Sequence, residues 1–197
     1  MTKMRRLGSY VLFTLIMTLL SVGPGFSATA DQEIMLTIAS LKSIFDNKAL
    51  SQEEQMKQAR EIVLERLDLT RTSSAILVRH IAEYRHRLNE FTDVFGKLIR
   101  RSYLSRVDKV QKMKNASVLS SELYGDTAEV TLSFTLDGDR YEVIFSMHMS
   151  NGRWKIYNLS VGGVGLVGNY RAQVDRMLRT MSFDELLKEF EKKAAGL

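Results

Sequence analysis

Gly163, Gly165 and Gly168 spell G-x-G-x-x-G where an apolar strand pattern, Arg153 to Val161, gives way to a helical one from Tyr170 to Met181. In that order a glycine loop can set a dinucleotide pyrophosphate on the backbone N–H groups of a helix N-terminus. The fingerprint also needs a second parallel strand with an acidic ribose ligand about 20 residues on, and here that position falls in a terminal helical pattern. The dinucleotide reading is therefore refused. The other reactive residue types are sparse. His80, His86 and His148 lie at no metal-ligand spacing, and there is no cysteine, no G-x-S-x-G and no acidic cluster. No catalytic residue, metal or cofactor is expected. His148 alternates onto the polar side of its strand and reads as a surface imidazole.

One charged feature stands out. Lys97, Arg100, Arg101, Arg106, Lys109, Lys112 and Lys114 face only Asp108 within the same stretch. This run is either a solvated helix face or a docking surface for an anionic membrane or an acidic partner, each nearby cation being worth about 1 kcal/mol at a charged bilayer.

The elements that must position these groups follow from periodicity. Residues 1–30 read as an export signal: Lys3, Arg5 and Arg6, an apolar run from Tyr10 to Leu20, and Ala28-Thr29-Ala30 as an A-x-A cleavage site. Cleavage near Ala30 would place the chain in the periplasm and remove three cations, so the high isoelectric point partly belongs to the signal. An exported protein without cysteine has nothing to oxidise there and no nucleic acid to meet. Residues 31–197 read as a single domain in three parts: 31–115 mainly helical, 116–161 a sheet, 162–197 a turn and C-terminal helices. Apolar stripes mark four helices before any strand, one opening at the capping box Ser51 to Glu54. After Asn115 the period becomes two, with Val130, Leu132, Phe134 and then Val143, Phe145, Met147 on one side. Asp137-Gly138 and Asn151-Gly152 are hairpin signals. The expected class is α+β, a four-stranded antiparallel meander covered by N-terminal and C-terminal helices. Residues lining a cavity and residues packing a filled core look identical in sequence, and periodicity alone favours the core.

Trp154-Lys155-Ile156-Tyr157, then Gly163-Val164-Gly165-Leu166-Val167 and Asn169-Tyr170-Arg171-Ala172-Gln173, resemble the hallmark of the MlaC family, also called toluene-tolerance auxiliary proteins. That hallmark is usually W-K-V-Y-D, then G-V-S-L-V-x-N-Y-R-x-Q-F. The chain departs from it with Asn158 for Asp, Gly165 for Ser and Val174 for Phe. Upstream, Leu67-Asp68-Leu69 stands where the family often has F-D-F, and Arg79-His80 where it often has Gly followed by aromatics. Phe91, Phe95, Leu98, Ser102 and Tyr103 fit its F-x-x-x-F and T-Y helix.

The resemblance implies a periplasmic phospholipid shuttle between outer and inner membranes, without chemistry. Its implied partners are phospholipid as cargo, an inner-membrane ABC transporter complex with an MCE-type component, and an outer-membrane lipoprotein complex, with the carrier itself a monomer. It implies a lipid cavity between sheet and helices, with acyl-chain contacts at Val130, Leu132, Phe134, Val143, Phe145, Met147, Ile156, Leu166 and Val167. Tyr170 would pack against the lipid and Arg171 would lie near its phosphate. Small residues at Gly162, Gly163 and Gly165 would keep the cavity mouth open. The alternatives are a carrier of another lipid such as a hopanoid, and a non-lipid envelope interaction module whose sheet packs solidly.

Overall fold

Short polar side chains and turn glycines set where the elements begin and end. In the computed structural model, which describes residues 28–196, α1 spans Ala30–Asp46, α2 Gln52–Arg66, α3 Leu69–Ile76, α4 Ile81–Tyr84 and α5 Leu88–Ser102. A 3-10 segment, Leu104–Lys112, leads into β1 (Lys114–Tyr124), β2 (Thr127–Leu136), β3 (Asp139–Ser150), β4 (Arg153–Val161) and β5 (Val164–Gly165). The helices α6 (Leu166–Met177) and α7 (Phe183–Ala195) close the described chain. Ser51 caps α2 by accepting from the Glu54 N–H, Asp68 caps α3 by accepting from that of Arg71, and Ser182 and Glu185 form the reciprocal box on α7. The expected signal lies outside the described residues except for Ala28, Thr29 and Ala30, the last of which is buried at the start of α1.

Two expectations are corrected. Among the described residues five α-helices, not four, precede the sheet: the stripe Leu77, Ile81 and Tyr84 reads as one helix, but the structure has α3 ending at Ile76 and only the short α4 from Ile81 to Tyr84. The sheet has five strands, not four, in the order β1-β2-β3-β4-β5 with every pairing antiparallel. The extra strand is two residues long, Val164 pairing Val161 and Gly165 pairing Ser160, too short to show an alternation. The Asn151-Gly152 turn has φ of 50° and 75°, the two left-handed residues of a hairpin turn whose twist matches the strands.

Cross-strand register puts Ala128, Val130 and Leu132 of β2 opposite Met147, Phe145 and Val143 of β3. This face continues into Ile156 and Trp154 of β4 and is buried under Ala30 and Ile34 of α1. A second, aromatic-rich core lies among α5, α6 and α7, where Phe91, Phe95, Tyr170, Phe183 and Phe190 are buried. A small third core joins Leu41 and Phe45 of α1 to Ala59 of α2 and Val110. The helices therefore do not blanket the sheet. α1 packs on its face, while α5 to α7 build a separate core.

The free edge of β4 connects the two. Leu67 bridges Ile156 in parallel, the Asp68 N–H donates to the Ile156 carbonyl at 2.8 Å, and the Thr72 hydroxyl donates to the Tyr157 carbonyl at 2.9 Å. Lys155 Nζ donates to the Glu65 carbonyl on the same edge. Here His148 departs from expectation. It is 7% exposed, its Nε2 lies 2.7 Å from Asp68 Oδ2, and Tyr157 stands edge-on to its ring. Strand alternation correctly put it on the polar side, but it could not show that the α2–α3 link crosses there.

Asp68 thus serves both the α3 cap and the imidazole. Asp68→Ala should cost about 2–3 kcal/mol, read from urea unfolding midpoints, and Asp68→Asn, which keeps an acceptor for the cap but turns an NH2 donor toward His148, about 1 kcal/mol.

Candidate functional site

The backbone of β4 makes one wall of an apolar cavity. A bulge shifts its register against β3, so that Ser146 faces Asn158 while Met147 faces Ile156, leaving Tyr157 unopposed. Such an extra residue bends its strand and increases the local twist. Ile156, Tyr157, Asn158 and Leu159 line the cavity from this side. Facing them are Val63 and Leu67 at the end of α2, Leu69 and Thr72 of α3, and Ile99, Tyr103 and Leu104 at the end of α5, with Leu166 at the start of α6. The space between them is about 70 Å³. Pockets that enclose drug-sized ligands run to roughly 300–1,000 Å³, so this cavity is smaller than such a ligand needs. No carboxylate, histidine or lysine lines it.

The glycine turn fixes how α6 leaves the sheet. Gly162 and Gly163 have φ of 57° and 79°, a conformation that L side chains rarely adopt. A Cβ at either would meet nothing within 4 Å, so a side chain there is disfavoured by the backbone conformation and not by crowding. Gly165 has an ordinary φ of −88°, and a Cβ there would meet Asn158 and Ser160 at 3.7 Å. Asn158 Oδ1 accepts from the Val167 N–H at 3.0 Å, holding the first turn of α6. An amide in place of the family's Asp keeps that acceptor.

The remaining hallmark residues are committed to packing. Tyr170 is buried, edge-on to Phe95 and Phe190, and burial pushes its phenol well above the ordinary range, with Tyr103 and Ser102 as polar neighbours. Arg171 donates Nε and Nη2 to the Ala75 carbonyl at 3.0 and 2.7 Å, tying α6 to the last turn of α3. It makes neither an ion pair among the described residues nor a wall of the cavity.

Of the acyl-chain contacts implied by resemblance, Ile156 and Leu166 line the cavity. Val167 belongs to the helical core, and Val130, Leu132 and Met147 to the core under α1, with Phe134 and Phe145 packed against the latter. Val143 is buried opposite Leu132. The helical wall went unforeseen, because Val63, Leu67 and Ile99 sit on stripes that any amphipathic helix shows. Tyr103 gave the best available signal: it lies in the family's T-Y segment, and it is 43% exposed while lining the cavity, so the cavity reaches the surface beside it. Among the described residues no group of three or more His, Asp or Glu could hold a metal ion, and no helix is long and apolar enough to cross a membrane.

The MlaC protein family matches residues 32–192. The chain belongs to that family. Among solved structures, this MlaC-family chain is similar to a phospholipid-binding protein from Ralstonia solanacearum, determined in complex with a phospholipid. The TM-score is 0.70, with 86% of this chain and 98% of that one covered at 17% identity, a likeness of fold. Among curated proteins none matches the MlaC-family chain.

Two contrasts follow for the MlaC-family chain. Leu166→Trp fills the cavity and should reduce co-purifying lipid severalfold with little change in melting temperature. Leu132→Trp overpacks the core under α1 and should cost about 1–3 kcal/mol instead. Gly163→Val should destabilise by about 1–2 kcal/mol through its φ, whereas Gly165→Ser should be nearly neutral, both read by thermal unfolding.

Proposed function

We propose that this protein is a periplasmic phospholipid carrier, binding one lipid by its acyl chains between β4 and the α2–α3–α5 wall and carrying it between outer and inner membranes. The observation that carries the reading is an apolar cavity placed between two separately packed bodies. The core under α1 and the core of α5 to α7 share no buried residue, and Leu67 packs against both. Parting along this line widens the cavity without opening either core. Membership of the MlaC family and a similar fold determined with phospholipid bound support the same reading.

The physical need is plain. Each methylene kept from water is worth about 0.8 kcal/mol, so a two-chain lipid crosses an aqueous gap slowly unless a protein covers it. Release then requires a partner that binds the open state better than the closed one, since a ligand shifts an equilibrium only by differential affinity. The partners proposed are an ABC transporter complex with an MCE-type component at the inner membrane and a lipoprotein complex at the outer one. The same apolar lining supports a binding protein rather than an enzyme, because it offers no acid–base pair.

Native mass spectrometry of gently purified protein should show close to one phospholipid per chain, and delipidated protein should take up a fluorescent phospholipid. Protein that arrives empty and accepts none would overturn the carrier reading and favour a solidly packed interaction module. A bound polycyclic lipid in its place would redirect the cargo assignment to hopanoid-like molecules.

A further inference from the structure

A basic groove lies directly beside the cavity. It holds about 420 Å³ and is lined by Arg60 and Leu64 of α2, Lys97, Arg100 and Arg101 of α5, and Ser105. Each wall is next in sequence to a cavity wall: Leu64 follows Val63, Arg100 follows Ile99 and Ser105 follows Leu104. The Arg60 Nε donates to the Leu104 carbonyl at 3.3 Å, which holds the guanidinium on the boundary between cavity and groove. Its Nη1 and Nη2 make no hydrogen bond or ion pair to the described residues, and neither do the Lys97 and Arg100 head groups. No carboxylate lines the groove; Glu53 and Asp108 lie in the neighbouring depression beyond Arg60 and Ser105.

A solvated helix face would spread its cations outward and intersperse them with carboxylates. Here two elements converge four cations on one hollow with an apolar floor at Leu64. A guanidinium held by Nε alone presents its two amino groups to a tetrahedral oxyanion, and a neighbouring ammonium adds a point charge. Arg171, whose donors Nε and Nη2 are spent on Ala75, is the poorer candidate for that contact.

We propose that this groove seats a phosphate group, that of the phospholipid headgroup, while the acyl chains enter the adjoining cavity past Tyr103. The inference rests on the carrier reading and adds to it a headgroup site made by Arg60, Lys97 and Arg100. Lipids without a phosphate should accordingly be poorer cargo.

The test compares dioctanoyl phosphatidylglycerol with dioctanoylglycerol, which lacks the phosphate, as competitors of a fluorescent lipid on purified, delipidated protein. The wild type should favour the phosphate-bearing lipid by about tenfold or more, the scale of one charge-assisted contact. Lys97→Ala/Arg100→Ala should lose most of that preference while binding dioctanoylglycerol as before. Both side chains are exposed and unpaired, and an unchanged melting temperature verifies the fold; should the double variant melt early, Arg100→Gln alone gives the same reading. Preference retained in the folded variant overturns the headgroup site and leaves the carrier reading intact. Failure of the wild type to bind either lipid overturns both. A third arm titrates inorganic phosphate: saturable binding that is lost in the variant, with no phosphatidylglycerol preference in the wild type, assigns the groove to a free anion and overturns the headgroup assignment.

Discussion

The free edge of β4 is the constraint on which the rest of the molecule depends. An unpaired strand edge presents carbonyls and N–H groups that must find partners, and here residues 67–72 supply them through the Asp68 N–H and the Thr72 hydroxyl. Because Asp68 also caps α3 and holds His148, one carboxylate fixes the start of a helix, the crossing point of a loop and a buried imidazole. The α3 helix is thereby held over the bulged part of β4, and the space left beneath it is the cavity. Removing any one of these bonds would free a segment rather than a side chain.

Two properties of this arrangement bear on lipid binding. The hydrophobic groups are divided between a core under α1 and a core of α5 to α7, so dispersion and burial stabilise each body more than their union. The two meet through a few hydrogen bonds and the shared contact of Leu67. A cavity volume of only about 70 Å³ leaves little of the apolar surface there open to water. Beside that junction the charge distribution changes sign of purpose: most ion pairs, such as Arg66 with Glu33 and Arg87 with Asp184, are closed within the fold, while the cations at the end of α5 are left without acidic partners in their groove.

Much of the architecture was legible beforehand. The hairpins at Asp137-Gly138 and Asn151-Gly152 were visible because only a few residue types accept their left-handed conformations, and β2 and β3 because alternation over ten residues is hard to mistake. The two-residue β5 and the breaks around α4 were not, since neither spans a full period. The hallmark around Tyr170 and Arg171 announced the family, yet its tyrosine and arginine hold helices together in this structure. The residues that wall the cavity were spread over α2, α3 and α5 and looked like ordinary core.

The residues by themselves thus determined the α+β class, the succession of helices, antiparallel meander and closing helices, and the resemblance to a lipid-carrier family. These depend on local periodicity, turn stereochemistry and short motifs, all written within about ten residues of one another. Only the tertiary structure decided that His148 is buried on Asp68, that Leu132 is core while Leu166 faces a cavity, and that Arg60 joins Lys97 and Arg100 around one groove. Each of these depends on which distant segment covers a given face, and long-range packing leaves no period in the chain.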